Sequence, residues 1–347
     1  MKSRTFTTKA GAKLRFSEIG LGTAPLGDLY EKLDEDQAVG TMVAAYKSGV
    51  RLFDSSPHYG NGLAELRLGA ALRRYPRDSF LVSTKVGRWM NPFERLAPRN
   101  PKVISPGFVG GLSHRPVFDY SYDGTMRSVE QSLLRSGLDR IDILLIHDVD
   151  VWTHRAGYET RFGEAMEGAY MALDKLRASG AVAAIGVGLN EADVAERFAK
   201  AGDFDVMLLA GRYSLLEQPA ADSFLPLAVE KKIGIMLGGV FNSGILATGA
   251  VKGARYNYVP APPEIMERVR KIEAVCRKHR VPLRRAAITF ALAHPAVVSL
   301  VLGAVMPAEV RANLADVARP VPAALWQDLK ELGLLSRASA TPGRRRR

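Results

Sequence analysis

Cysteine is almost absent from this chain, and the single Cys276 excludes two kinds of structural constraint. One thiol cannot form an intramolecular disulfide framework or a cysteine-based zinc site, which is typical of a reducing compartment. Long hydrophobic runs are also missing, because no apolar stretch approaches the roughly 18 residues of a membrane span. The first residues, MKSRTFTTKAGAK, lack the apolar stretch of a signal peptide. We therefore expect a cytoplasmic protein that does not insert into membranes.

Metal-ligand spacing is lacking too, since the six histidines form neither H-E-x-x-H nor a related pattern. No metal site is expected. The net charge is +12, but no dense basic run is interleaved with aromatic residues, so specific nucleic-acid binding is not expected. A solvated basic surface is favoured, and it would attract an anionic cofactor. Four of the positive charges are Arg344–Arg347, so residues 336–347 are predicted to form a disordered basic tail.

What the sequence does contain is a regular alternation of short apolar runs, loops and helical patterns. The runs are rich in Val, Ile and Leu, as is typical of parallel strands buried on both faces. Eight such runs are found, at residues 19–22, 51–54, 80–84, 141–146, 184–187, 206–209, 234–237 and 298–302.

The helical patterns between the runs have recognisable ends. Asp34 and Gln37 have the spacing of a capping box before the first helix. Apolar stripes at helical spacing cover residues 126–133, 162–176 and 265–275. The alternation predicts a (β/α)8 barrel, with residues 1–335 as its single domain.

A doubly wound open sheet is the rival fold. A dinucleotide-binding sheet of that kind carries G-x-G-x-x-G after its first strand and before a helix. Here Gly20-Leu21-Gly22 is followed by Thr23-Ala24-Pro25 and no helical pattern. The barrel is therefore favoured. Two connections, 88–122 and 148–161, are long enough to be functional loops at the barrel mouth.

Four polar residues stand at or just after the ends of consecutive predicted strands. Asp54 ends the second run and Tyr59 follows it, while Lys85 and His147 end the third and fourth runs. Each alone has an ordinary structural explanation, but active sites of these barrels lie at the carboxyl ends of strands. Together they suit proton transfer coupled to hydride transfer. Lys85 would lower the pKa of Tyr59 and pair with Asp54, while His147 would orient the substrate oxygen.

The stretch Asp54-Ser55-Ser56-Pro57-His58-Tyr59-Gly60, with Glu65 after it, resembles the D-[ST]-[AS]-x-x-Y-G pattern of the aldo-keto reductases. The resemblance extends over nearly the whole chain. It implies a catalytic tetrad of Asp54, Tyr59, Lys85 and His147. It also implies a nicotinamide dinucleotide, bound partly by the segment after the eighth strand.

The resemblance also bears on the choice of cofactor. NADP-preferring relatives often carry Lys where this chain has Gly303, and Arg where it has Glu309. A carboxylate repels the 2′-phosphate of NADP but accepts bonds from a ribose hydroxyl. NAD is therefore the expected cofactor, with NADP as the alternative because Arg311 lies close by in the sequence.

Other positions depart from the family pattern. Asn190 and Tyr213 are candidates to hold the nicotinamide, each as readily structural, and the loop from 239 to 244 suits the pyrophosphate. The expected cofactor contacts are Gly22, Thr23, Ala24, Asp54, Asn190, Tyr213, Gly239, Asn242, Ser243, Gly244, Gly303, Val305, Glu309 and Asn313.

Within the family, APLG, SPHYGNGLAE, VFDYSYDG and GGVFNSGILA resemble the L-fucose or D-threo-aldose 1-dehydrogenases and the pyridoxal 4-dehydrogenases. This resemblance implies oxidation of a cyclic hemiacetal of an aldose to its lactone. The alternatives are the same chemistry on pyridoxal, or a non-catalytic, redox-sensing cofactor-binding subunit. A small-molecule substrate and a monomer or homodimer are expected. The expected substrate contacts are His58, Trp89, Phe118 and Trp152.

One further segment has two interpretations. Residues 118–122 either shape the substrate pocket or begin the next helix, since Ser121 and Asp123 are good cap residues.

Overall fold

A computed structural model describes residues 1–96 and 107–343 of the chain. Its strands are β1 (Ser3–Thr7), β2 (Lys13–Ser17), β3 (Ile19–Gly22), β4 (Leu52–Asp54), β5 (Leu81–Val86), β6 (Arg88–Arg95), β7 (His114–Phe118), β8 (Ile143–His147), β9 (Ala184–Leu189), β10 (Val206–Ala210), β11 (Gly234–Gly238), β12 (Arg255–Tyr256), β13 (Val259–Pro260) and β14 (Val297–Gly303).

The α-helices are α1 (Glu35–Lys47), α2 (Leu63–Leu72), α3 (Tyr122–Ser136), α4 (Val151–His154), α5 (Tyr158–Glu164), α6 (Tyr170–Ala178), α7 (Ala192–Ala201), α8 (Phe224–Glu230), α9 (Ile245–Thr248), α10 (Pro263–Lys278), α11 (Leu283–Ala291), α12 (Pro307–Val317) and α13 (Ala323–Glu331). A π-helical stretch, Ala165–Ala169, joins α5 to α6, and short 3-10 turns occupy Pro25–Gly27, Arg77–Ser79, Arg155–Gly157 and Pro219–Ala221.

Eight parallel strands close into a barrel, in the order β3-β4-β5-β8-β9-β10-β11-β14. Each of the eight predicted runs supplies one of these strands, so the (β/α)8 prediction is confirmed. Every residue of β8, β9 and β11 is buried, as expected for strands covered by helices on one face and by the barrel interior on the other. The rival open sheet is excluded because β14 pairs with β3 and closes the barrel.

The amino-terminal hairpin, β1 paired with β2, covers one end of the barrel. Leu14 and Phe16 of β2 are buried in a cluster with the residues that begin three barrel strands, Leu52, Ile143 and Val206. The hairpin therefore closes the end where strands begin, and the opposite end remains for a ligand.

The helix ends largely follow the predicted signals. The Asp34 carboxylate accepts the Gln37 backbone N–H at 3.1 Å and caps α1. The side chain of Gln37 donates to the Val305 carbonyl instead, so the capping box is only half formed. Ser121 caps α3 and Gly137 ends it with a φ of 60°. A helix thus begins at Tyr122, the end of the segment 118–122, as one of the two interpretations predicts, while Phe118 ends β7.

Both long predicted connections contain ordered structure. In the first, β6 and β7 pair as antiparallel strands, while residues 97–106 lie outside the described part of the chain. In the second, α4 is followed by the start of α5.

Part of the predicted tail makes defined contacts. Ser339 is buried, the Tyr213 hydroxyl donates to the Ala340 carbonyl, and Lys330 donates to the carbonyls of Arg337 and Ser339. Residues 337, 339 and 340 thus contact the barrel domain, residues 344–347 lie outside the described residues, and the prediction of a disordered tail stays a prediction. Across residues 1–96 and 107–343, no helix is both long and apolar enough to cross a membrane.

Candidate active site

The four predicted catalytic side chains converge at the carboxyl end of the barrel. Asp54 and His147 are the last residues of β4 and β8, Lys85 is near the end of β5, and Tyr59 lies in the loop after β4. The Tyr59 ring centroid is 5.8 Å from the Lys85 ammonium and 6.1 Å from the His147 ring centroid. Strands distant in the sequence become neighbours because β4, β5 and β8 pair in that order.

Asp54 and Lys85 form a buried ion pair. The Lys85 Nζ is 2.5 Å from Asp54 Oδ1, and it also donates to the Ser55 carbonyl at 2.8 Å. Both charged side chains are about 1% exposed. Burial raises the pKa of the Asp54 carboxyl, and the neighbouring ammonium opposes that shift. The predicted pairing of these two residues is therefore present.

The pKa of the Tyr59 phenol is raised well above its usual value of 10.0. Burial is the largest cause, and the negative charges of Asp54 and Asp148 add to it. Arg88 acts in the opposite direction and does not cancel these effects. Lys85 is not among these influences and its ammonium contacts Asp54 directly, so the expectation that it lowers the pKa of Tyr59 stays a prediction.

His147 is surrounded by three polar side chains. Its Nδ1 lies 3.2 Å from Ser56 Oγ and 3.3 Å from Arg88 Nη1, and its Nε2 lies 3.3 Å from Asp148 Oδ1. Burial lowers the pKa of the imidazole well below 6.5, so His147 is neutral at physiological pH. The Tyr120 hydroxyl donates to the His147 carbonyl at 2.8 Å and fixes the backbone there.

Arg88 and Asp148 are site residues that the sequence analysis missed. Their side chains pair at 2.7 Å beside His147. Burial alone would raise the pKa of the Asp148 carboxyl, but His147 and Arg88 hold it well below its usual range. A signal was available, because Arg88 follows Lys85 by three residues and Asp148 comes directly after His147.

A cleft of about 470 Å³ begins at Asp54 and Tyr59 and extends across the ends of β9, β10, β11 and β14. Most of the predicted cofactor contacts line it. They are Gly22, Ala24, Asp54, Asn190, Gly239, Asn242, Ser243, Gly244, Gly303, Val305 and Glu309.

Three predicted cofactor contacts are not brought to this cleft. The Thr23 hydroxyl donates to the Asp54 carbonyl at 3.0 Å. The Tyr213 ring stacks on Phe290, with 5.0 Å between centroids, and is buried in the core. Asn313 is buried within α12 and is absent from the lining. Of the two candidates for holding the nicotinamide, only Asn190 therefore faces the cleft.

Three further residues that line the cleft were not predicted from the sequence. Tyr30, Arg212 and Tyr258 line it, and the Tyr258 N–H donates to the Ser243 hydroxyl at 3.0 Å. The Arg255 guanidinium lies 4.6 Å from the Tyr30 ring centroid and joins the β12–β13 hairpin to the loop after β3. No local sequence pattern indicates this contact, since the two segments are more than 200 residues apart.

The cleft fits a nicotinamide dinucleotide. Gly239 and Gly303 line the cleft with bare backbone, and a Cβ at either position would press on Gly211 or Pro25, at 2.8 and 2.9 Å respectively. At the end formed by β14, the Glu309 carboxylate accepts the Val305 N–H at 2.7 Å. The residues present thus combine close backbone approach with polar groups at both ends.

The predicted substrate contacts divide into two groups. His58 lies beside the tetrad, 6.3 Å from the His147 ring centroid. The aromatic residues Trp89, Phe118 and Trp152 do not line the cleft. An arginine guanidinium lies near one face of each ring, at 4.5, 4.2 and 5.6 Å from the centroid respectively, and Phe118 and Trp152 remain exposed. Within the described part of the chain, no group of three or more His, Cys, Asp or Glu side chains could hold a metal ion.

Comparison with known proteins agrees with this geometry. Pyridoxal 4-dehydrogenase from Microbacterium luteolum is 40% identical over 329 residues, covering 93% of this chain and 96% of that protein. D-threo-aldose 1-dehydrogenase from a Pseudomonas species is 40% identical over 334 residues, covering 96% and 99%. A solved aldo-keto reductase from Bacillus halodurans superposes with a TM-score of 0.73 at 22% identity, covering 100% of both chains, and so supports the fold alone.

The family model described as Aldo/keto reductase family matches residues 18–333, which include the barrel strands and all four tetrad positions. Because this match and the two relatives extend over nearly all of the chain, the protein belongs to the aldo/keto reductase family, whose members are oxidoreductases that use a nicotinamide cofactor.

Proposed function

We propose that this protein is an NAD(P)-dependent dehydrogenase that oxidises the cyclic hemiacetal of an aldose at its anomeric carbon and releases the aldonolactone. The observation that carries this proposal is the convergence of Asp54, Tyr59, Lys85 and His147 at the carboxyl end of the barrel, where Asp54 and Tyr59 line a cleft that fits a dinucleotide. The names of the two relatives at 40% identity, a D-threo-aldose dehydrogenase and a pyridoxal dehydrogenase, support this reaction class.

In the proposed reaction, Tyr59 takes the proton of the anomeric hydroxyl and His147 donates a hydrogen bond to the same oxygen. The bound oxidised nicotinamide supplies the hydride acceptor and one further positive charge. The buried contact between Asp54 and Lys85 holds the loop after β4 against the end of β5. Because burial raises the pKa of Tyr59, the phenol is protonated at neutral pH and oxidation needs its deprotonation.

An aldose is favoured by the polar character of the tetrad's surroundings. Arg88 and Asp148 pair beside His147 and make the surroundings of its ring polar, which suits a sugar. The aromatic rings that could stack on pyridoxal, Trp89, Phe118 and Trp152, do not line the cleft.

Pyridoxal is the second candidate substrate, and a separate observation favours it. The Phe108 ring stacks near Tyr59 at 5.9 Å between centroids, and the His58 ring meets Phe108 edge-on at 5.2 Å. These rings offer an aromatic surface next to the tetrad that a pyridine ring could use.

NAD is proposed as the preferred cofactor because the Glu309 carboxylate lines the cleft and Arg311 does not. Lysine, which NADP-preferring relatives often carry, could replace Gly303 only if Pro25 moved, since a Cβ would lie 2.9 Å from its ring.

The test is a panel of L-fucose, D-arabinose, L-galactose and pyridoxal with NAD or NADP, followed by the absorbance of the reduced nicotinamide. Turnover of one or more sugars with a lactone product is expected, and the Tyr59→Phe variant is the matched blank. Turnover of pyridoxal alone would favour the second candidate. Cofactor binding without turnover of any substrate would support the redox-sensing subunit instead.

A cytoplasmic location, a single domain over residues 1–335 and a monomeric or homodimeric state are proposed from the composition and the strand-helix pattern. Light scattering on the purified protein tests the oligomeric state, and limited proteolysis tests the domain boundary.

A further inference from the structure

The imidazole of His147 lies between a cation and an anion that are themselves paired. Arg88 Nη1 is 3.3 Å from Nδ1, Asp148 Oδ1 is 3.3 Å from Nε2, and Arg88 and Asp148 contact each other at 2.7 Å. A guanidinium only donates hydrogen bonds, so the nitrogen facing it must present its lone pair. The carboxylate 3.3 Å from Nε2 makes no hydrogen bond with the ring, but its negative charge repels a lone pair and favours a hydrogen on that nitrogen, which leaves the N–H able to donate to a substrate. The two contacts independently select one tautomer.

We propose that Arg88 and Asp148 are positioning residues that hold His147 in the neutral tautomer with its hydrogen on Nε2. Their consequence for catalysis rests on the proposed function, in which the Nε2–H donates to the substrate oxygen. The tautomer itself does not depend on that function.

Ser56, the third neighbour of the ring, does not select a tautomer. Ser56 Oγ lies 3.2 Å from Nδ1, and a hydroxyl can donate or accept. The same oxygen accepts the His58 backbone N–H at 3.0 Å, which leaves its hydrogen able to point toward Nδ1. Ser56 therefore adapts to either tautomer, and Arg88 and Asp148 decide between them.

Both positioning residues are held by their own contacts. Arg88 is 6% exposed, its guanidinium lies 4.2 Å from the Phe118 ring centroid, and its carbonyl accepts the Ser128 hydroxyl at 2.8 Å. Asp148 has a φ of 54°, in the left-handed region, and its N–H donates to the Gly188 carbonyl at 3.2 Å. Aspartate is one of the few residues that tolerate this conformation, so the carboxylate is fixed beside the ring.

The ring also stays neutral between these charges. Asp148 favours the imidazolium, but burial and the positive charges of Arg88 and Lys85 oppose it. A neutral ring has one hydrogen to place, so the choice of nitrogen decides whether Nε2 is a donor or an acceptor. With the hydrogen on Nδ1, the lone pair of Nε2 would face a substrate oxygen and repel it.

The measurement is ¹⁵N NMR of the imidazole nitrogens in histidine-labelled protein, with the His147→Asn spectrum used to identify the signals of His147. In the wild type, Nε2 should have the shift of a protonated nitrogen and Nδ1 that of an unprotonated one. A protonated Nδ1 in the wild-type protein would overturn the proposal, whether or not any variant folds.

One variant removes each contact. Asp148→Asn places an amide that can donate at Nε2, and Arg88→Met removes the donor at Nδ1, so both should shift His147 toward the Nδ1–H tautomer. Arg88→Lys keeps a donor-only cation and should restore the wild-type pattern. Arg127→Met is the matched control, because that guanidinium lies over Trp89 and not against His147. Retention of the Nε2–H signal in both Asp148→Asn and Arg88→Met would contradict the proposal.

The kinetic readout separates this proposal from the proposed function. The turnover number should fall between about 10-fold and about 10⁴-fold in Asp148→Asn, the upper figure being the cost of a wrong tautomer in a hydrolase triad. The dissociation constant of the cofactor should stay unchanged. If the wild type oxidises no aldose or pyridoxal but the tautomer shifts as expected, the proposed function fails and the positioning role stands.

Discussion

The Lys85 ammonium lies 2.5 Å from the Asp54 carboxylate and 5.8 Å from the centroid of the Tyr59 ring. The buried carboxylate therefore offsets the positive charge of the ammonium and weakens its effect on the phenol. This arrangement makes Lys85 a partner of Asp54, and it leaves the pKa of Tyr59 to be set mainly by burial.

The ion pair leads to a prediction about stability. Lys85→Met should lower the free energy of unfolding by about 3–5 kcal/mol, because it leaves a buried carboxylate without a partner. The double variant Asp54→Asn with Lys85→Met removes both charges and should recover most of that loss. Denaturant unfolding of the two variants measures the difference. A double variant no more stable than the single one would show that the pair is not the source of the loss.

Tyr59 is predicted to be the acid/base group. Tyr59→Phe keeps the ring and its contact with Phe108 but removes the exchangeable proton. The turnover number should fall by at least about 10²-fold, while cofactor binding is retained. Steady-state kinetics and a cofactor titration measure the two quantities. Near-normal turnover in this variant would rule out the assignment.

The pH dependence of oxidation follows from the raised pKa of Tyr59. A group with a raised pKa is deprotonated only in a small fraction below that pKa, and this fraction grows about tenfold per pH unit. The oxidation rate should therefore keep rising with pH and show no plateau below about pH 10, provided that Tyr59 is the base. A pH–rate profile tests this, and a plateau near neutrality would mean that another group accepts the proton.

Glu309 is predicted to disfavour NADP. Glu309→Arg should shift the ratio of kcat/KM values toward NADP by about 1–3 kcal/mol, or roughly 5- to 150-fold, because it reverses the charge facing a 2′-phosphate. Glu309→Gln can still accept the Val305 N–H and only removes the charge, so a smaller shift of roughly fivefold is expected. If the wild type already prefers NADP, the proposed NAD preference is wrong.

Metal removal should leave the activity intact. The proposed proton and hydride transfers need no Lewis acid, and the sequence contains no H-E-x-x-H pattern. Exhaustive dialysis against EDTA, followed by assay with and without added zinc or magnesium, is the measurement. Activity that is lost and then restored by either metal would contradict the prediction.

Local patterns in the sequence were sufficient for much of the fold. Each barrel strand is a short apolar run, and the Asp34 cap and the Gly137 helix end depend on residues within one helical turn. The four tetrad residues could also be predicted from the sequence, because the motif around Tyr59 is contiguous. The other two, Lys85 and His147, follow because parallel strands bring their carboxyl ends to the same end of the barrel. These features depend on information carried by neighbouring residues.

Long-range packing determined what the sequence analysis missed or predicted wrongly. The pKa of Tyr59 depends on burial by several segments, and Tyr213 turned inward because its ring packs on Phe290. The contact of Tyr30 with Arg255 joins parts of the chain that no local pattern relates, and the contact of Arg88 with His147 depends on the pairing of β5 with β8. Desolvation and charge pairing are set by which groups meet in space, and only the closed barrel decides that.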